Sequence, residues 1–424
     1  MASINQMPTE ILEMIFNQLD FKSRLNATLV CQRWNAVAMS ERFTKRKVFF
    51  KIDSNSVLTL HKHTFHRSYQ NLLLKLDDSP EGKDTTKGLR LLTTIFPTIA
   101  SIKLEMAVWS DQWWYSLMKN HNACFLTVDT LHLTANYNLP RTEHLKENNR
   151  HYRMSSLRTS VLAPELRKLY LAVNTMGKMH MLQDVLYQLH TLEIVLTSYV
   201  YLHFYNFKPI NLRALSIDRR HKGMVQHERE PSVIFFGQLV NLRRLELKVK
   251  FFDSYVLNKI AEMLPQLVEL SLEACEGMID LSLIGNLSRL ERLRVIAGSI
   301  DLTNLYLPLL RTLCLGTAPE NYVTPKLEGI ETLMRFPSLQ SLTLVNIRFN
   351  SDIQKLTPSY SLQNMILLNY RQLKDVHVLK LVKRFPVVRW LRISHCYGIY
   401  RPEIEKLKRL LPKVAIAFDE VKVI

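Results

Sequence analysis

Leu290-Glu291-Arg292-Leu293-Arg294-Val295 sets the reading of this 424-residue chain. Its last two apolar residues alternate with a variable one, the pattern of a short strand with one buried face. The same phrase occurs earlier as Ile99-Ala-Ser-Ile102-Lys-Leu104, Val128-Asp-Thr-Leu131-His-Leu133, Leu166-Arg-Lys-Leu169-Tyr-Leu171, Leu189-His-Thr-Leu192-Glu-Ile194 and Leu212-Arg-Ala-Leu215-Ser-Ile217. It continues in Leu242-Arg-Arg-Leu245-Glu-Leu247 and Leu267-Val-Glu-Leu270-Ser-Leu272. Beyond Val295 come Leu310-Arg-Thr-Leu313-Cys-Leu315, Leu339-Gln-Ser-Leu342-Thr-Leu344, Leu362-Gln-Asn-Met365-Ile-Leu367 and Val388-Arg-Trp-Leu391-Arg-Ile393. Tyr69-Gln-Asn-Leu72-Leu-Leu74 is a weaker opening copy.

The stretch before a phrase often has helical spacing, as in Tyr255–Leu264 and Val376–Val382. Several such stretches end at a proline: Leu264-Pro265, Phe336-Pro337 and Phe385-Pro386. Proline stops the helix and turns the chain toward the strand. A strand and a return segment recurring roughly every 20–30 residues resemble leucine-rich repeats. The resemblance implies an α/β solenoid over residues 69–424, a horseshoe with a parallel sheet on its concave face and helices outside. A doubly wound α/β domain is the rival fold, disfavoured because one phrase recurs about a dozen times. Cys275 and Cys396 fall three residues past their strands, where this repeat takes Asn or Cys to bond turn backbone. Two long gaps, 134–165 and 218–232, are polar and basic and read as insertions that are either functional loops or disordered.

The N-terminus is different. Met7-Pro8-Thr9-Glu10-Ile11-Leu12-Glu13-Met14-Ile15-Phe16-Asn17-Gln18-Leu19-Asp20 carries Ile11, Leu12, Ile15, Phe16 and Leu19 in one wide apolar stripe at helical spacing. Pro8 suits the first turn. Asp20 is placed to cap a second helix, with Lys22, Ser23 and Arg24 on its wet side. Leu25 and Leu29 extend an apolar face, and Cys31, Trp34 and Val37 begin a third helix. Three short helices cannot bury all of this among themselves, so a partner is implied. By spacing alone, a helical cap on the following domain reads as well. The ordered string Pro-x-Glu-Ile-Leu, Ile-Phe, Leu-Asp and Leu29-Val30-Cys31-x-x-Trp34 resembles the F-box, which docks substrate receptors onto the adaptor subunit of cullin–RING ubiquitin ligases. The likeness covers about residues 4–50. Met7 departs from the family's usual leucine, a volume-conserving change. The expected organisation is therefore an F-box over 1–50, a linker over 51–68 and repeats over 69–424.

Composition narrows the function. With 47% apolar residues the chain can bury a large core. It has no apolar run long enough for a membrane span and no signal-peptide core at MASINQMPTE. Five scattered cysteines fit a reducing compartment, in cytoplasm or nucleus, and argue against disulfides. Only 11 glycines disfavours phosphate cradles. His61, His63 and His66 lack the further donors that a metal site needs. Cys124 sits just before a strand and reads as buried, and Trp109, Trp113, Trp114 and Tyr115 read as helix core. No nucleophile elbow, P-loop or zinc-protease motif occurs. Arg42, Lys45, Arg46 and Lys47 read as a solvated helix end. The sequence predicts no catalytic residue, cofactor or metal.

What the F-box resemblance implies is the substrate-recognition subunit of an SCF-type ubiquitin ligase. Pro8, Ile11, Leu12, Ile15, Phe16, Leu19, Val30 and Trp34 would bind the adaptor and, through it, a cullin. The variable strand residues Arg244, Lys248, Arg292, Arg294, Trp390 and Arg392 would bind a target protein, with Trp390 and Arg392 the best anchor. The net charge of +18, spread along the chain, keeps a second function open: a basic scaffold for nucleic acid or an acidic protein without ubiquitination. Nucleic acid is the weaker partner because no one segment holds the excess.

Overall fold

The computed structural model describes residues 6–40, 42–43, 49–53, 56, 59, 69–76, 92, 95–106, 126–135, 163–173, 185–196, 211–218, 236–249, 254–274, 277–317, 326–347, 359–370 and 373–419. The chain forms two compact units, Met1–Val185 and Leu186–Ile424.

The first unit opens with three helices, α1 (Thr9–Gln18), α2 (Phe21–Thr28) and α3 (Gln32–Ala38). Pro8 starts α1, its carbonyl accepting the Ile11 and Leu12 N–H groups at 3.1 and 3.2 Å. Asp20 caps α2 by accepting the Ser23 N–H at 2.7 Å, and that bond holds its carboxyl below the ordinary range. The Cys31 sulfur accepts the Trp34 N–H at 3.5 Å and starts α3. Leu12, Phe16, Ala27, Val37, Ala38 and Phe43 form the core, with Met7, Leu19 and Trp34 packed on it. Each fully buried Leu or Phe there contributes roughly 1.5–3 kcal/mol.

Arg24 corrects the expectation of a wet side chain. It is 5% exposed. Its Nε donates to the Phe16 carbonyl at 3.2 Å and its Nη2 to the Leu19 carbonyl at 2.9 Å. The guanidinium lies 4.6 Å from the Phe43 ring centre. The end of α1 leaves carbonyls unpaired, and Arg24 satisfies them, which makes burial of its charge tolerable.

Five parallel strands follow in spatial order: β1 (Phe49–Asp53), β2 (Asn71–Leu76), β3 (Ser101–Met106), β4 (Thr130–Ala135) and β5 (Lys168–Val173). The sheet thus begins at Phe49, inside what reads from sequence as F-box end and linker. Phe50 and Ile52 take the inward places opposite Leu72 and Leu74. Phe50 packs on Tyr69 and Phe96, with ring centres 4.7 and 5.6 Å apart.

The second unit carries ten parallel strands in spatial order: β6 (Thr191–Leu196), β7 (Ala214–Asp218), β8 (Arg244–Val249), β9 (Glu269–Ala274), β11 (Arg292–Ile296), β13 (Thr312–Gly316), β15 (Ser341–Val345), β16 (Asn364–Leu368), β17 (Trp390–Ser394) and β18 (Ala415–Asp419). Every quoted phrase contributes a strand, and the register keeps equivalent residues side by side: Leu270, Leu293, Leu313, Leu342, Met365 and Leu391 form one buried row. Return segments include α4 (Ser254–Met263), α5 (Asp375–Lys383) and α6 (Arg401–Leu410). Helices do not back every repeat. Between β9 and β15 the chain instead makes a second parallel sheet, β10 (Met278–Asp280), β12 (Ser299–Asp301) and β14 (Lys326–Glu328), with 3₁₀ turns at Leu281–Ile284 and Ile330–Arg335. Those returns are too short for several helical turns.

Strand exits share one conformation. Asn346, Asn369 and His395 directly follow β15, β16 and β17 and have φ of 53°, 58° and 54°. The Asn346 and Asn369 N–H groups donate to the carbonyls of Leu368 and Ser394 at 2.9 and 3.1 Å, extending the ladder by one rung. The buried Cys396 thiol donates to the Leu367 and Ser394 carbonyls at 3.5 and 3.3 Å, the turn-bonding place read from sequence. Cys275 lies outside the described residues. Gly316 admits no side chain: a Cβ there would stand 2.2 Å from the Val345 carbonyl oxygen.

Candidate functional site

The helical module has an inside and an outside. Among the residues assigned to an adaptor, Leu12 and Phe16 are 0% and 1% exposed and form the module's own core. They are corrected from contact residues to core residues. Leu19 and Trp34 pack against that core, and the Phe16 and Trp34 rings meet edge to face at 5.4 Å. Ile11 and Ile15 remain outside at 39% and 38% exposed, Val30 at 59%, and Pro8 is exposed. Met14, Leu25 and Leu29 join them at 59%, 39% and 84% exposed. Ile11, Met14 and Ile15 share one face of α1, and Leu25 and Leu29 lie four apart on one face of α2 and its C-cap. The stripe was legible as apolar. Its division between core and surface was not, because eleven, twelve, fifteen and sixteen are all spaced to suit either side of one helix.

The strand face of the second unit holds the other candidates. Arg244 and Arg292 stand on either side of Glu269 in register and both reach its carboxylate, Arg244 at 3.8 Å and Arg292 at 2.9 Å. Arg294 donates to Glu273 at 3.0 Å, and Lys248 pairs with Glu246 at 3.1 Å. Arg392 donates to Asp419 at 2.7 Å, and the buried Ser394 hydroxyl donates to the same carboxylate oxygen at 2.6 Å. These bonds, Ser394 first and Arg392 next, hold the Asp419 carboxyl below the ordinary range. Every charged candidate therefore has an acidic neighbour, and the strand face is less basic than the sequence suggests. The row from β13 to β16 presents Thr312, Cys314, Ser341, Thr343, Asn364 and Ile366, none of them charged. Arg292 and Trp390 flank that neutral stretch, four strand steps or about 19 Å apart. Trp390 is half-buried and its neighbour Arg392 exposed. The six candidates are thus two clusters and not one site.

In the first unit, His132 and Tyr170 stack across β4 and β5 with ring centres 4.0 Å apart and planes 5° apart. Burial, with Lys103 beside it, pushes the His132 imidazole below its usual range. His61, His63, His66, Trp109, Trp113, Trp114, Tyr115 and Cys124 lie outside the described residues, as do Lys45 to Lys47 and most of 134–165 and 218–232. Among the described residues no helix is long and apolar enough to cross a membrane.

Residues 4–51 match the F-box-like family model. The chain carries an F-box-like segment at its N-terminus, followed by the repeated parallel strands. No curated protein matches it. Solved structures similar to it include a leucine-rich-repeat protein of Leptospira interrogans, with 16% identity and a TM-score of 0.37 over 82% of this chain and 90% of that one. The yeast complex of Rad7 and Elc1 has 14% identity and a TM-score of 0.46, over 96% of this chain and 92% of that one. The complex of TLR13 with ssRNA13 has 14% identity and a TM-score of 0.37, over 87% of this chain and 56% of that one. The F-box match ends at residue 51, so β1 begins within it.

Proposed function

We propose that this protein is the substrate-recognition subunit of an SCF-type ubiquitin ligase, working in the cytoplasm, the nucleus or both. The carrying observation is the F-box surface. A three-helix module that already has a complete core still leaves Ile11, Met14, Ile15, Leu25, Leu29 and Val30 exposed. Apolar side chains concentrated on so small a module imply a covering partner, and the F-box match supports an adaptor of the ligase as that partner. A cullin would join through the adaptor. The repeats would hold a target protein so that other subunits transfer ubiquitin, and the contribution of this chain would be proximity. It would need no catalytic residue, cofactor or metal of its own.

The test uses the exposed residues and spares the core. Ile15→Asp with Leu29→Asp should abolish adaptor and cullin recovery from cells, since central apolar anchors contribute about 2 kcal/mol or more each. Cargo should stay bound and accumulate. Pull-down with mass spectrometry reads both. Undiminished adaptor recovery by the double variant would remove the receptor reading.

A further inference from the structure

We infer that the leading edge of strands β7 to β13 is a docking surface for an extended acidic polypeptide segment. As a statement about cargo this rests on the receptor reading; as a binding surface it does not.

The residue just before each strand is exposed or half-exposed and lies beside its counterpart in the next repeat. The carbonyl of Arg213 accepts the Arg243 N–H at 2.9 Å, that of Arg243 accepts the Val268 N–H at 2.8 Å, and that of Glu291 accepts the Arg311 N–H at 2.8 Å. Along this edge and the first rung stand Arg213, Arg243, Arg244, Arg292 and Arg311, against only Glu269 and Glu291. Glu269 is already shared by Arg244 and Arg292. Arg213, Arg243 and Arg311 are exposed and have no acidic partner among the described residues. The next two repeats are neutral there, with Gln340 and Gln363. The run before β7 to β13 thus covers five strands, about 19 Å of edge, the reach of roughly six extended residues, and Arg389 stands apart from it before β17.

The exit ends of these strands hold no such surplus: β7 carries Asp218, Glu273 of β9 is answered by Arg294, and Lys248 of β8 is bonded to Glu246. A field of one sign at one edge attracts the opposite sign there. Aliphatic side chains border the arginines: Val240 and Leu309 are 58% and 47% exposed. Among the described residues one exposed ring, Tyr306, stands in the turn before Leu307, too few to stack successive bases. Guanidinium groups interleaved with aliphatic contacts fit a polypeptide in which carboxylates alternate with apolar residues, and fit a nucleic-acid strand poorly.

The experiment uses the full chain, kept soluble as a maltose-binding-protein fusion, and fluorescence anisotropy. The probes are a labelled peptide of about ten residues alternating Glu and Val, its Gln-for-Glu counterpart and an oligothymidylate. The acidic peptide should bind, weaken as salt rises, and outcompete both other probes. Arg213→Gln with Arg243→Gln and Arg311→Gln should weaken it at least about tenfold, as loss of several exposed charge-assisted contacts does. Arg→Lys at the same positions should keep most of the affinity, and Arg335→Gln, on the 3₁₀ turn, should change nothing. If the Gln variant misfolds, the Lys variant and the wild-type salt series still decide. Failure of the peptide to bind, equal binding of its Gln counterpart, retention by the Gln variant, or tighter binding of the oligonucleotide would each overturn the inference. Adaptor recovery run in parallel separates the two readings: its loss in the wild type defeats the receptor and leaves the edge standing.

Discussion

Leu12 and Ile15 lie one turn apart on α1 and meet opposite surroundings. Leu12 is sealed beneath α3, whereas Ile15 is 38% exposed. Truncating Leu12 to Ala should therefore melt the module, at about 2–5 kcal/mol, and lose the adaptor only through unfolding. Circular dichroism of the isolated effect on melting separates this from Ile15→Asp, which should leave the melting temperature nearly unchanged. Equal destabilisation by both would contradict the assigned inside and outside. The same contrast holds for the thiols. Burial pushes the Cys396 thiol up to about 11. At pH 8 its thiolate fraction is then about one in a thousand, and thiolate is the reactive form. Iodoacetamide should leave Cys396 unlabelled in the native protein while the partly exposed Cys31 reacts, as peptide mass mapping would show. Native labelling of both at one rate would refute its structural role.

At the scale of elements, the two ends of the array explain what the sequence hid. In the sequence Lys47 and Lys413 stand three residues before Phe50 and Ile416, the place where the phrase opens with an apolar residue. Both terminal strands lack the apolar residue that opens the phrase, because each has a neighbour on one side only and less to bury. Reading by leucine therefore finds β2 to β17 and misses β1 and β18. The small β10–β12–β14 sheet was hidden for another reason: three residues per strand are too few to show a period. β18 is held partly by polar bonds, with Asp419 receiving Ser394 and Arg392. Since the folded-state carboxyl is depressed, its stabilisation is present above the unfolded value of about 3.9 and is lost as pH falls through the folded one. Asp419→Asn should lower the melting temperature near neutral pH, and the gap from wild type should close below about pH 4. A gap that persisted at pH 2 would show that the carboxylate charge is not what holds the strand.

On the whole-molecule scale, each repeat touches little beyond its neighbours, so the second unit behaves as a one-dimensional stack. Its buried rows run from β6 to β17: Leu342 and Leu344 of β15 lie against Met365 and Leu367 of β16, all 0% exposed. No single repeat could close such a row, and removing the outer ones leaves an open apolar edge. Charge follows a different logic. The surplus of +18 does not collect on the strand face, where acids answer the arginines, but part of it gathers at the leading edge of β7 to β13, a pattern that only the register reveals. A chain ending at residue 347 tests the stack. It should retain the F-box and hence the adaptor, because nothing in that module's core lies beyond Phe43. It should lose β16, β17 and β18 and expose the Leu342–Leu344 row, binding a hydrophobic dye and melting several degrees lower in calorimetry. Adaptor retention with a lowered, dye-binding transition is the expected result; a truncated chain that melts with the full one would mean that the repeats do not rely on one another for burial.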